Sequence, residues 1–82
     1  MRTLEKNIGK HRQAFADFVY EWRQSERLTQ EELAQMCGID RKTINRIENG
    51  HFSPSLDTMV RLAHAFKVPF AVIAKEVTEA VN

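Results

Sequence analysis

The chain is short and nearly neutral: its 82 residues include 43% hydrophobic side chains, 12 Lys/Arg and 11 Asp/Glu, for a net charge of +1. That length predicts one small domain, and the apolar fraction supports a compact core and argues against wholesale disorder. A single cysteine cannot form an internal disulfide, and no run of about 18 apolar residues is present to span a membrane. The charged N-terminus argues against secretion, so we expect a cytoplasmic protein.

The charges do not form a strong basic field. Residues 1–27 carry six basic and four acidic side chains, residues 28–38 carry two acidic ones, and residues 39–53 carry three basic and two acidic ones. Any affinity for nucleic acid must therefore come from a few positioned cations, and two copies of the domain would help to supply it.

The first predicted element is a long helix. Its core stripe repeats at i, i+3, i+4 and i+7, the spacing of one helix face, and consists of Phe15, Phe18, Val19 and Trp22. Leu4 and Ile8 continue the stripe toward the N-terminus, so we assign residues 1–14 to an extension of this helix. The helix should end near Ser25 or Glu26.

A short helix with clear boundaries comes next. Thr29-x-x-Glu32 is a capping box, in which each side chain can bond the backbone N–H of the other, so helix 2 starts at Thr29. Gly38 supplies the left-handed residue that ends it. Its inward side chains are Leu33, Ala34 and either Met36 or Cys37.

Helix 3 follows after a turn of a few residues. Asp40 is its N-cap, Ile44 and Ile47 point to the core, and Asn49-Gly50 forms the C-terminal cap.

Two more helices complete the chain. Phe52-Ser53-Pro54 breaks the pattern before Ser55, which caps helix 4, and Pro69 opens helix 5 at or near its first residue. The stripe of helix 4 is Leu56, Met59, Val60, Ala63 and Phe66, and that of helix 5 is Phe70, Ile73 and Val77. Five helices with short connections and no strand signal predict a small all-α bundle.

The segment from Gln30 to Asn49 resembles the helix-turn-helix of the phage repressor/Cro (XRE-type) DNA-binding family. The family pattern places a small residue, a turn glycine and an aliphatic residue at relative offsets 0, 4 and 10, and these are Ala34, Gly38 and Ile44 here. The match continues through Ile47-Glu48-Asn49-Gly50, Pro54, Ser55-Leu56, Leu62-Ala63 and Phe66-x-Val68. The resemblance covers about residues 15–74 and implies a five-helix lambda-repressor-like domain, which we place at 15–76, with a C-terminal tail at 77–82.

The resemblance also implies which residues meet DNA. Arg41, Lys42 and Arg46 fall where family side chains enter the major groove, with Asn45 near them; Arg and Lys match guanine O6 and N7, and Asn matches adenine. Gln30 falls where a family glutamine meets a phosphate at a helix N-terminus. Backbone contacts are implied at Thr43, Asn49, His51 and Ser53.

A structural role is implied for one pair. Arg23 matches a family arginine that pairs with the glutamate of helix 3, here Glu48, and such a pair fixes orientation more than it adds stability. Departures from the family are Cys37, the first fourteen residues and the bulk of Phe15 and Phe18, and they leave the dimer interface open.

Each functional residue also has a simpler interpretation. The cations of helix 3 could be a solvated face, Gln30 an ordinary first-turn residue, and Asn45 an outward residue without a base contact. Cys37 is expected to be a small apolar residue under the turn, because a redox switch needs an exposed thiolate with cationic neighbours. The scattered histidines, and the lack of a phosphate loop or nucleophile motif, predict no metal, no cofactor and no enzymatic activity.

The apolar residues at the two ends exceed what a domain of this size can bury: Leu4, Ile8, Phe15, Val72, Val77, Ala80 and Val81. They could pack helix 1 on helix 5 within one chain, or form a homodimer. We favour a dimeric, sequence-specific transcriptional regulator that binds double-stranded DNA at a twofold operator, as a repressor. The alternative is an antitoxin-type DNA-binding protein whose main partner is a toxin.

Overall fold

Five α-helices make up the part of the chain that the computed structural model describes, residues 2–82. They are α1 (Arg2–Ser25), α2 (Gln30–Cys37), α3 (Arg41–Glu48), α4 (Leu56–Phe66) and α5 (Phe70–Val81). No strand occurs among these residues, so the all-α prediction with an extended first helix is confirmed.

The two ends of the chain are helical. Of the predicted extension at residues 1–14, Met1 lies outside the described residues and the rest is continuous with α1. Residues 77–82, which the sequence assigned to a tail, continue α5 as far as Val81, because Val77 stays packed against the core cluster. No helix end marks either proposed domain limit, and these limits stay predictions.

The helix boundaries follow from local capping chemistry. Thr29 Oγ1 accepts the backbone N–H of Glu32 at 3.0 Å, and Glu32 Oε1 accepts the N–H of Thr29 at 2.8 Å, which is the predicted capping box. The side chain of each predicted N-cap accepts a hydrogen bond from the backbone N–H three residues later; these caps are Thr29, Asp40 and Ser55. Pro69 occupies the N-cap of α5, one residue before its start.

Left-handed glycines lie at the C-terminal ends of two of the helices. Gly38 has φ 70° and closes α2, and Gly50 has φ 78° just beyond the C-cap of α3. Glycine reaches these angles without steric cost, because it lacks a Cβ.

The core lies where all five helices meet. Its buried apolar residues are Phe15, Ala16, Val19, Leu33, Ala34, Cys37, Ile44, Ile47, Leu62, Ala63, Ala65, Phe66 and Ile73. The predicted stripes of α1, α2, α3 and α5 supply most of them. Of the two alternatives in α2, Cys37 is buried and Met36 is 49% exposed.

The prediction for α4 is partly wrong. Leu56 is 60% exposed and Val60 is 49% exposed, whereas Leu62 and Ala65 are buried. Apolar residues cover more than half of the circumference of this helix, so the sequence pattern allows two rotational settings. Packing of α4 against α2 and α5 selects the face that carries Leu62.

An aromatic cluster joins α1 to α4. The ring centroids of Trp22 and Phe66 lie 4.0 Å apart, and those of Phe18 and Phe66 lie 5.7 Å apart. The bulk of Phe18, which departs from the family pattern, is thereby accommodated at the edge of the core. These contacts tie the C-terminal half of α1 to the last turn of α4.

Candidate nucleic-acid interface

The α2–turn–α3 unit is rigid because small and apolar residues lie between its helices. Ala34 is 1% exposed, and Ile44 is fully buried. The N–H of Gly38 donates to Gln35 O at 3.3 Å, and the N–H of Ile39 donates to Ala34 O at 3.1 Å, so the turn continues directly from α2. α3 is therefore held at a fixed angle to α2.

One side of α3 faces the core and the other faces solvent. Ile44 and Ile47 are buried, whereas the side chains that the resemblance assigns to DNA lie outward. Arg41, Lys42, Arg46 and Asn49 are exposed, and Thr43 and Asn45 are partly buried. The surface of residues 41–46 is thus not occluded by the described part of the chain.

The acidic side chain of α3 is neutralised within the protein. Glu48 Oε2 accepts from Arg23 Nε at 2.7 Å and Oε1 accepts from Arg23 Nη2 at 2.9 Å, with both side chains largely buried. Arg23 Nη1 also donates to Leu28 O at 2.7 Å. The hydrogen bond that Arg23 donates to Glu48 outweighs the opposing effect of burial and raises the pKa of Arg23, so the guanidinium stays charged. The two residues that the sequence pairs lie together.

A chain of side-chain amides continues from this ion pair. Gln30 Nε2 donates to Glu48 Oε1 at 3.1 Å, and Asn45 Nδ2 donates to Gln30 Oε1 at 3.4 Å. Asn49 Nδ2 donates in turn to Asn45 Oδ1 at 3.3 Å. The sequence did not predict that Gln30 and Asn45 would meet, because they belong to different helices.

The N-terminus of α2 lies beside this chain of amides. The capping box occupies the N–H of Glu32, whereas the N–H groups of Gln30 and Glu31 belong to the first turn and have no acceptor within the helix. Donors of this kind, at the positive end of the helix dipole, favour an anion. The start of α2 therefore presents N–H donors that are not used within the helix.

Asp40 and Thr43 form the cap of α3. Thr43 donates both its backbone N–H, at 2.9 Å, and its hydroxyl, at 3.0 Å, to Asp40 Oδ1. The backbone bond and then the hydroxyl bond lower the pKa of Asp40. The hydroxyl of Thr43 therefore presents only its oxygen to solvent, and a bond to a phosphate would require it to rotate.

Arg61 is a structural residue that sequence reasoning missed. Its Nη1 donates to the carbonyl oxygen of Cys37 at 3.1 Å and so caps the C-terminus of α2 from α4. A Cβ on Gly38 would lie 3.0 Å from the same nitrogen. No local pattern marks this contact, because Arg61 is far from the turn along the chain.

The remaining sequence candidates lie at the edges of the site. His51 and Ser53 are exposed in the segment between α3 and α4. Cys37 is buried under the turn, and burial raises the pKa of its thiol to about 11. Among residues 2–82, no group of three His, Cys, Asp or Glu side chains is arranged to hold a metal ion. Within that same range, none of the helices combines the length and hydropathy that crossing a bilayer requires.

Comparison with known proteins places this arrangement in a family. The family model described as helix-turn-helix matches residues 19–73. An uncharacterized HTH-type transcriptional regulator of Methanothermobacter thermautotrophicus is 47% identical over 65 residues, which are 79% of this chain and 74% of the relative. A second such regulator, from Methanocaldococcus jannaschii, is 46% identical over 41 residues, which are 50% of this chain and 62% of that one.

Two solved structures share the fold. The clp gene regulator ClgR of Corynebacterium glutamicum superposes with a TM-score of 0.77 at 20% identity, covering 87% of this chain and 76% of ClgR. The restriction-modification controller protein C.AhdI of Aeromonas hydrophila gives a TM-score of 0.71 at 29% identity, covering 76% and 94%. The chain therefore belongs to the XRE-type helix-turn-helix family of DNA-binding transcriptional regulators.

Proposed function

We propose that this protein is a sequence-specific regulator that binds a twofold operator as a dimer and represses transcription by occupying it. The observation that carries the proposal is the exposed outer face of α3. It presents Arg41, Lys42 and Arg46, while the acid on the same helix, Glu48, is neutralised by Arg23. Local charge, rather than the net charge of +1, would attract the phosphates.

The geometry supports insertion of α3 into the major groove. Arg41, Lys42 and Arg46 would donate to guanine O6 and N7, and Gln30 at the start of α2 would meet a phosphate. Further contacts to the backbone would come from Asn49, Thr43, His51 and Ser53. Base readout by three cations predicts half-sites that contain guanine.

The acidic side chain of Glu31 lies beside the cationic face of α3. Arg41 Nε lies 4.0 Å from Glu31 Oε2, and both side chains are more than half exposed. An exposed pair at this distance is weak, so DNA can displace Glu31 from Arg41. Glu31→Gln should therefore raise the affinity for DNA by a modest factor, whereas removal of Arg41 should lower it.

A dimer surface is proposed at the packed ends of α1 and α5. Phe15 is buried, and Val77 is partly buried by contact between these helices, so the single-chain alternative accounts for part of the apolar excess. Leu4 is still 60% exposed and Ile8 42% exposed. An apolar groove of about 300 Å³ beside Ile8 is lined mainly by Phe15, Met59, Phe70, Ile73 and Val77. Two copies that bury these surfaces would set half-sites roughly 34 Å apart.

In vitro selection of bound DNA tests the proposal. The expected result is a palindromic consensus with guanine in each half-site. Arg41→Ala and Arg46→Ala should each lower specific affinity by about 1–3 kcal/mol and relax one position of the consensus. Lys75→Ala removes the same charge from α5 and is the matched control, expected to change the consensus at no position. If the Arg41→Ala/Arg46→Ala double variant kept wild-type specific affinity, the assignment of α3 as the helix that reads the bases would be wrong.

Light scattering across a range of concentrations tests the dimer. Ile8→Glu should convert the dimer to monomer and lower affinity for the two-half-site operator more than for a single half-site. Val60→Glu introduces the same charge at an exposed apolar residue of α4 and should leave the dimer intact. A monomeric wild-type chain at high concentration would overturn this part of the proposal.

A further inference from the structure

The side-chain amides beside the Arg23–Glu48 pair can hydrogen-bond in only one direction. An ionised carboxylate only accepts hydrogen bonds, so the NH₂ group of Gln30, not its oxygen, must face Glu48 Oε1. The oxygen of Gln30 then points away from the pair and accepts from Asn45 Nδ2. The oxygen of Asn45 in turn accepts from Asn49 Nδ2. The ion pair thus fixes the orientation of three amides in sequence, which we call the amide relay.

The amide relay runs from the interior to the surface. Glu48 is anchored by two hydrogen bonds from Arg23, and its side chain is 5% exposed. Gln30 and Asn45 are partly buried, and Asn49 is exposed. The two outer bonds are longer than the inner one, so each is weak and depends on the anchored end for its direction. Asn45 lies in the middle and contacts both Gln30 and Asn49.

Both ends of the Asn45 amide are already engaged within the protein. Bidentate recognition of adenine requires the NH₂ and the oxygen of an asparagine to point at the same base edge. In Asn45 the NH₂ group is directed to Gln30 and the oxygen to Asn49. Gln30 and Asn49 each use one N–H in the relay and keep a second N–H that can meet a phosphate.

We propose that Asn45 is a positioning residue that orients Gln30 and Asn49 toward the DNA backbone and does not read a base. The inference rests on the proposed function and deepens it. Base discrimination is then left to the cations of α3, and Asn45 contributes affinity that is independent of sequence. The interpretation from sequence, in which Asn45 recognises adenine, is replaced by a role inside the protein.

A double-mutant cycle combined with DNA selection tests this role. Asn45→Ala should weaken binding roughly twofold to tenfold on every sequence, as expected for one or two modest hydrogen bonds, and should leave the selected consensus unchanged. In a Gln30→Ala/Asn49→Ala background the same substitution should have no further effect, because nothing remains to be positioned. Arg46→Ala is the contrasting variant, since it should change the consensus.

A measurement without DNA tests the relay itself. In nitrogen–proton correlation spectra, Asn45→Ala should shift the side-chain NH₂ signals of both Gln30 and Asn49, whereas Lys75→Ala should shift neither. If the NH₂ signals of Gln30 and Asn49 did not shift, Asn45 would not contact them in solution, and the inference would be wrong. The unfolding midpoint of Asn45→Ala should match that of the wild type, so that a loss of affinity is not a loss of folded protein.

The outcomes separate the two proposals. If the wild-type chain selects an operator but Asn45→Ala relaxes the consensus at one base pair, Asn45 is a base reader and only this inference fails. An equal loss of affinity from Asn45→Ala in the wild-type and Gln30→Ala/Asn49→Ala backgrounds also overturns it. If the wild-type chain selects no sequence, the proposed function fails, and the role of Asn45 in DNA binding fails with it.

Discussion

Arg23 and Glu48 join α1 to α3 through a bidentate ion pair whose side chains are 9% and 5% exposed. The pair connects the longest helix to the helix that carries the candidate DNA contacts. Glu48 also accepts a hydrogen bond from Gln30, so the same carboxylate binds Arg23 of α1 and Gln30 at the start of α2.

Removing one member of this pair should destabilise the fold more than removing both. Arg23→Met leaves the Glu48 carboxylate buried without its cation, and we expect the free energy of unfolding to fall by about 3 kcal/mol. Arg23→Met/Glu48→Leu should lose less than Arg23→Met alone, because no charge remains buried. Urea denaturation followed by the fluorescence of Trp22, which packs on Phe66, measures the difference.

An exposed ion pair provides the comparison. Lys75 Nζ lies 3.9 Å from Glu79 Oε1 on the surface of α5. Lys75→Met should change the free energy of unfolding by less than about 1 kcal/mol. A cost equal to that of Arg23→Met would mean that burial does not determine the strength of the α1–α3 pair.

Three glycines should respond differently to alanine. Gly50→Ala should lower the free energy of unfolding by about 1–2 kcal/mol, because its φ is 78°. The new Cβ would also meet the side-chain amide of Gln13. Gly9→Ala should raise the free energy of unfolding by about 0.5–1 kcal/mol, since Gly9 lies within α1 and a Cβ there would have no neighbour within 4 Å.

Gly38→Ala lies between these two cases. The left-handed φ of 70° is strained for alanine, as at Gly50, but its Cβ would lie 3.0 Å from its nearest atom, Arg61 Nη1, which is a milder contact than the one with Gln13 at Gly50. Its cost should therefore be no greater than that of Gly50→Ala, as thermal unfolding midpoints of the three variants would reveal. A stabilised Gly50→Ala protein would contradict the αL assignment.

The cap of α3 should lose its contribution to stability in acid. Hydrogen bonds from Thr43 depress the pKa of Asp40, so the cap is favourable above the ordinary Asp value of about 3.9 and is lost as the pH falls through the depressed value. Asp40→Asn keeps an oxygen at the cap without a titrating proton. The stability advantage of the wild type over Asp40→Asn should shrink as the pH falls from 5 toward the depressed value, in urea midpoints measured at each pH. A pH-independent difference would show that the carboxylate does not titrate in this range.

The thiol of Cys37 should react slowly in the folded protein. Burial raises its pKa to about 11, so little thiolate is present near neutral pH. Reaction with a chromogenic disulfide reagent at pH 8 should be much slower in buffer than in denaturant, and the rate in buffer should follow unfolding. A fast reaction in buffer would indicate a solvent-accessible thiolate and would favour the redox interpretation.

The sequence was most informative where local rules act. Thr29, Asp40 and Ser55 were predicted as caps, and each accepts the expected N–H, because capping requires only residues three apart. The positions of Ile44 and Gly38 followed from spacing in the helix-turn-helix pattern. In α4, by contrast, seven apolar residues are compatible with two rotations of the helix about its axis. The sequence pattern predicted that Leu56 and Val60 face the core, and both are exposed.

The sequence by itself determined the order of the helices, the N-caps of α2, α3 and α4 and the residues that α3 turns outward, since period and capping depend on neighbours along the chain. Only the tertiary structure decided which side of α4 is buried, that Arg61 caps α2, and that Gln30, Asn45 and Asn49 are linked to the Arg23–Glu48 pair. These contacts join residues on different helices. Their partners are set by the angles at which the helices pack, which no local spacing records.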